Sequence, residues 1–189
     1  ITQYWNTVYL LNHEYTSQFP KRKYNFFREE LTPIYLVSIL AGEDSFEKSY
    51  LHSRCHIERV ESVSISLDLG KLPGRLREDV LEVGKDGVLE IISFIDDRFT
   101  ELFQKGYLYD DGEKFYFEIN SIYDAYADQI SIYELLEKLL TIFDADIEVY
   151  VSFGESRVRC SDLSEGQRQL IKILGMLGVC KSEDTLVLM

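Results

Sequence analysis

No stretch of eighteen consecutive apolar residues occurs in the chain, so it offers no candidate membrane-crossing helix, and no signal-peptide pattern is read at its start. Cysteine is scarce. Cys55, Cys160 and Cys180 show no paired spacing, which argues against a disulfide framework and for a reducing, cytoplasmic setting. Positive charge is in deficit, with 20 Lys and Arg against 33 Asp and Glu and a formal net charge of −13. A surface of that sign repels a nucleic-acid backbone and argues against a general DNA-binding module. The local exception, Lys21-Arg22-Lys23 with Arg28 nearby, is read as a solvated loop rather than a phosphate contact. Internal repeats and low-complexity tracts are also missing.

What is present suits an ordinary globular chain. Hydrophobic residues make up 46% and charged residues 28%, and 13 tyrosines and 11 phenylalanines supply core material. A length of 189 residues allows one domain or two small ones. His52, Cys55 and His56 lie close together, but no fourth ligand follows at a suitable spacing, so zinc is not expected. The chain starts at Ile1 and stops at Met189 within an apparent strand, which suggests a piece of a larger protein.

The apolar pattern divides the chain into elements. Residues 1–33 are mixed. Pro33 to Ala41 is nearly continuous in apolar residues and predicts a buried helix ended by Gly42, after which Asp44 is placed to cap a short helix carrying Phe46, Tyr50 and Leu51. Val60 to Leu69 alternates, with Val60, Ser62, Ser64 and Ser66 on one parity and Glu61, Val63, Ile65, Leu67 and Leu69 on the other, and predicts a strand whose buried face is the second parity. A short helix is expected from Arg75 to Val83. Val88, Ile91, Ile92, Ile95, Phe99, Leu102 and Phe103 then form the stripe of one long helix. Tyr107 to Ile119 predicts a β-hairpin turning at Asp110-Asp111-Gly112-Glu113. Ser121 to Phe143 predicts a second striped helix packed against the first, and Ile147 to Cys160 a second hairpin turning at Gly154-Glu155-Ser156.

That hairpin leads to Asp162-Leu163-Ser164-Glu165-Gly166-Gln167-Arg168-Gln169-Leu170. Ser164 is placed to cap the following helix, and Gln167, three residues on, completes a capping box. The first backbone N–H groups of a helix have no partner within it, and the helix dipole adds partial positive charge. A hydroxyl and a bare glycine backbone at that end suit phosphate. The helix carries Leu170, Ile171, Leu174 and Leu177. After Gly178, Val179 and an acidic loop, Thr185-Leu186-Val187-Leu188-Met189 has the unbroken apolar character of a central parallel strand.

Leu163-Ser164-Glu165-Gly166-Gln167 resembles the signature motif of ABC-type ATPases, and Thr185 to Met189 resembles their Walker B strand. The resemblance implies an α/β, P-loop NTPase-like fold, here a partial ABC ATPase head with a helical insertion and β-hairpins. It implies an ATPase-lobe segment at 1–70, a helical insertion with a β-hairpin at 71–146, and a signature-motif lobe at 147–189. It also implies a homodimer or higher oligomer in which Ser164, Glu165, Gly166 and Gln167 face the γ-phosphate of ATP held by a partner, with Mg2+ ligands elsewhere. The usual first glycine is Glu165 here. Ser-Glu-Gly variants resemble the RecF-like and OLD-like branch, which implies DNA repair or anti-phage defence, a nuclease or other effector subunit, and nucleic acid contacted through the full protein.

Parts of the machinery are absent. No Gly-x-x-x-x-Gly-Lys-Ser/Thr loop occurs, and the sequence stops before the aspartate and glutamate that follow the strand in this family; Asp184 precedes it and does not take their role. Sustained heptads are missing too, which disfavours a long-armed SMC-like protein. A competing reading is a non-catalytic α/β protein-interaction module in which the Ser-Glu-Gly turn is only a helix cap.

Overall fold

The structure, a computed structural model, describes residues 29–41, 45–72, 74–95, 97–120 and 129–182. Its centre is helix α1, Thr32–Ala41, in which nine of ten residues are buried. A helix apolar on every side needs cover on every side. One side of α1 meets a five-stranded sheet, and the others meet helices α6, Gln129–Phe143, and α7, Glu165–Ser182.

The sheet contains β1, Ile57–Asp68; β2, Tyr107–Asp110; β3, Lys114–Ile119; β4, Asp146–Phe153; and β5, Ser156–Arg159. Their spatial order is β2-β3-β1-β4-β5, and every pairing is antiparallel. The expected central parallel strand, Thr185 to Met189, lies outside the described residues. The chain is α/β, but the strands described make an all-antiparallel sheet with the first strand, β1, at its centre, rather than the parallel sheet expected of a P-loop NTPase. Short connection accounts for the two outer pairings: β2 to β3 and β4 to β5 are tight hairpins, which can join only antiparallel neighbours, and β1 lies antiparallel between the two hairpins. Gly112, at φ +98°, and Gly154, at φ +59°, supply the left-handed backbone of the two turns. One sheet thus takes strands from all three segments, 1–70, 71–146 and 147–189.

Alternation sorts the faces. Val63, Ile65 and Leu67 on β1, Phe115, Phe117 and Ile119 on β3, and Ile147, Val149 and Val151 on β4 all enter one core with the helices. Val60 departs from simple alternation and joins them. Register shifts on either side of it place an extra residue on β1, and a bulge of this kind rotates the side-chain parity. The opposite face carries Ser62, Ser64, Tyr116, Glu118, Glu148 and Tyr150.

Two further expectations are corrected. The stripe from Val88 to Phe103 is not one helix: it divides into α4, Lys85–Ile95, a 3₁₀ turn at Asp97–Phe99, and α5, Thr100–Gly106. Phe99 lies 6.4 Å from Phe103, and Phe103 5.1 Å from Phe117, ring centre to ring centre. The second striped helix does not pair with the first. Helix α6 lies along α1, with Tyr35 stacked on Tyr133 at 5.5 Å, while α4 packs on α3, Gly74–Val83, and on α5. The more apolar surface belongs to α1, so it takes the longer partner. Helix α2, Phe46–Cys55, begins at Ser45, whose hydroxyl accepts from Lys48 N at 3.1 Å; Asp44 lies outside the described residues. No helix among the described residues is long and apolar enough to cross a membrane.

Candidate functional site

The β4–β5 hairpin delivers the chain to a 3₁₀ turn, Cys160–Asp162, and then to α7. Two buried side chains, Cys160 and Leu163, pin the turn, while Ser161, Asp162, Ser164, Glu165 and Gly166 stay exposed. The turn therefore stands out from the core on a fixed base. Arg159 holds both Asp162 carboxylate oxygens through one guanidinium edge, donating from Nε at 2.8 Å and from Nη2 at 3.0 Å.

The capping box expected from the sequence is formed. Gln167 N donates to Ser164 Oγ at 3.3 Å, and Gln167 Oε1 accepts from both Ser164 N and the Ser164 hydroxyl at 2.9 Å. Ser164 O accepts the first helical bond from Arg168 N at 3.0 Å. The N–H groups of Glu165 and Gly166 lie in the first turn, where the helix itself offers no acceptor. A Cβ built on Gly166 meets nothing within 4 Å. Packing among the described residues therefore does not require a glycine there, although glycine lowers helix stability by roughly 0.5–1 kcal/mol relative to alanine.

Glu165 does not lie over the helix end. One carboxylate oxygen takes Arg168 Nη2 at 2.7 Å, and the other takes Gln169 Nε2 at 2.6 Å. Residues three and four positions on lie one turn further along the helix, so these bonds draw the carboxylate back from the N–H groups. They hold the Glu165 carboxyl below the usual range, Arg168 first and Gln169 second, and the same bond raises the Arg168 guanidinium. Arg168 also donates through Nη1 to Ser161 O at 3.1 Å, which closes the 3₁₀ turn onto the helix.

Beside the turn, a cleft of about 460 Å³ opens on the polar face of the sheet, lined by Ser64, Glu118, Tyr150, Arg157, Arg159 and Asp162. Arg157 lies 4.2 Å over the Tyr150 ring and donates to Ser62 at 2.6 Å and Glu118 at 3.1 Å. Both arginines are thus matched by carboxylates, and the cleft carries balanced charge.

Other sequence candidates lie apart or outside. His52 is exposed, Cys55 is buried, and His56 closes α2 in the left-handed conformation at φ 56°. Among the described residues, no group of three or more His, Cys, Asp or Glu is placed to hold a metal ion. Lys21, Arg22, Lys23 and Arg28 lie outside the described residues, as do Thr185 to Met189. Sequence reasoning passed over Arg157 and Arg159, and quoted Asp162 and Arg168 within the turn without giving either a partner. The signals were available: Arg159 and Asp162, like Glu165 and Arg168, are opposite charges three residues apart, and Arg157 and Arg159 share one strand parity.

Comparison with family models, curated proteins and solved structures returns no match.

Proposed function

We propose that this chain is the signature-bearing part of an ABC-type ATPase, acting in nucleic-acid repair or anti-phage defence in the cytoplasm, and that its Ser164–Gln167 turn receives the γ-phosphate of ATP held by another subunit. The observation that carries the reading is the exposed, capped start of α7, with open space over Gly166 and two first-turn N–H groups free of helical acceptors. A side chain at position 166 would project into that space, so a glycine there fits a bulky anion approaching from outside. ATP would supply the phosphoryl group; the P-loop, the magnesium ligands and the acids that act on it are not among these residues.

The residues of the turn have separate tasks in this reading. The N–H groups of Glu165 and Gly166 donate to phosphate oxygens, aided by the dipole of an 18-residue helix. Ser164 turns its hydroxyl proton from Gln167 to the same anion, while Gln167 keeps the cap through the Ser164 N–H. Such donors act on a triphosphate only when two subunits meet, so nucleotide drives association.

The test uses the full protein that carries these residues. ATP with magnesium should shift its sedimentation from monomer to dimer. Gly166→Ala should keep or raise the unfolding temperature, because its methyl meets nothing within 4 Å, yet weaken ATP-driven association at least tenfold. Wild-type protein that sediments alike with and without ATP, or a variant that dimerises as the wild type does, refutes the proposal.

A further inference from the structure

We infer that Arg168 is a positioning residue of the nucleotide-facing turn: it holds the Glu165 carboxylate off the start of α7 so that an anion can approach the Glu165 and Gly166 N–H groups. The inference rests on the reading just proposed and explains how the turn accommodates a carboxylate beside Gly166.

A glutamate at the first position of a helix is ordinarily drawn to the N-terminal partial charge, where it would occupy the place of a bound phosphate. Here it lies in the opposite direction. Arg168 takes one carboxylate oxygen at 2.7 Å and Gln169 the other at 2.6 Å, both from the next turn of the helix. Arg168 is set for this by its second bond, to Ser161 O at 3.1 Å, so the guanidinium bridges the 3₁₀ turn and the helix flank. Its side chain is 30% exposed, against 60% for Glu165. The arginine is the better-fixed partner, and the carboxylate follows it. Gln169 can orient the carboxylate but carries no charge to offset it, and Lys172 adds charge without bonding to it; among the described residues Arg168 does both.

Removing Arg168 has two separable consequences. The turn loses the bridge to Ser161, a structural effect. Glu165 also regains an uncompensated charge free to swing over the Gly166 N–H, which repels a triphosphate. Removing the carboxylate charge can cure the second effect and leaves the first untouched.

The experiment measures ATP-driven dimerisation of the full protein by sedimentation, with ATP and magnesium as the probe, for wild type, Arg168→Met and the double variant Arg168→Met/Glu165→Gln. Arg168→Met is expected to weaken association at least fivefold, and adding Glu165→Gln is expected to restore it to within twofold of wild type. Association of Arg168→Met at wild-type strength overturns the inference. So does a double variant as weak as Arg168→Met, since the bridge to Ser161 would then be the whole effect. In either case wild-type dimerisation with ATP leaves the underlying reading standing, whereas a wild type that ignores ATP removes both.

Discussion

Gly175 fixes how closely the candidate-site helix can lie against the central helix, and Gly175→Ala tests that packing. A Cβ at this position would stand 2.3 Å from Tyr35 Cγ and 2.4 Å from Tyr35 Cβ and Cδ1. Carbon atoms in favourable contact are roughly 3.5–4.0 Å apart, so the methyl demands about 1 Å of movement. Tyr35 has nowhere to go. It is fully buried and stacked on Tyr133 at 5.5 Å, and its Cβ is fixed to the α1 backbone. Relief therefore requires α1 and α7 to separate. Overpacking costs about 1–3 kcal/mol and occasionally more. At this closeness we expect about 3 kcal/mol, offset by about 1 kcal/mol of helix propensity gained over glycine. The net loss of about 2 kcal/mol lowers the unfolding temperature by about 4–8 °C for a domain of this size. Gly178→Ala supplies the control, because its Cβ meets nothing within 4 Å. It keeps the propensity gain alone and should raise stability by up to about 1 kcal/mol. Urea unfolding followed by far-UV circular dichroism would show opposite shifts of midpoint at unchanged slope. A Gly175→Ala variant as stable as Gly178→Ala would refute the close packing of α1 on α7.

The same geometry sets two pH-dependent outcomes. Glu165, held down by Arg168 and then Gln169, should titrate below an ordinary glutamate in a carboxyl-detected NMR titration. Because its folded value is lowered, its contribution to stability is complete above the unfolded value near ~4.3 and is lost as pH falls through the folded one. Arg168→Met should move that midpoint upward, and an unmoved midpoint would count against the ion pair. Burial pushes the Cys160 thiol up to about 12, so native Cys160 should resist alkylation at pH 8 while the urea-unfolded chain reacts, as peptide mapping would show. The folded state keeps a proton that the unfolded thiol releases above ~8.5, so this group's contribution to stability declines as pH rises from there towards 12. Rapid labelling of Cys160 in the native protein would mean that the base of the turn opens.

How far the fold could be read from the sequence followed from how local its causes were. Both hairpins were legible because Asp111-Gly112 and Gly154 state the turn chemistry within a few residues, and the alternation on either side fixes which face is buried. The cap at Ser164 was legible for the same reason: serine and glutamine three residues apart complete their bonds within one turn. Partner choice was not legible. The stripes on α4 and α6 each announce a buried face but not what covers it, and the competitor that won, α1, announces itself only as apolar on all sides. The division after Ile95 escaped because the stripe runs on past it: Ile91, Ile92 and Ile95 on α4 are followed at helical spacing by Phe99 and Phe103, although a 3₁₀ turn, Asp97–Phe99, separates the two helices. Val60 was assigned to the polar parity of β1 for want of any sequence mark of the bulge beside it.

Gly166 and Gly175 show where reading a sequence must give way to geometry. They lie nine positions apart on one helix, both weaken it by propensity, and nothing in the letters separates them. In three dimensions their reasons are opposite. At 175 the missing side chain is filled by Tyr35, so the chain's own packing accounts for it in full. At 166 the missing side chain faces open space, and no atom of the described residues accounts for it. A helix start that is capped by Ser164 and Gln167, set on the buried Cys160 and Leu163, and cleared of its own carboxylate by Arg168 still leaves the Glu165 and Gly166 N–H groups without a helical acceptor, and the glycine without a packing reason among the described residues. The unmet demand is what points outward, and replacing Gly166 tests whether a second molecule supplies its reason.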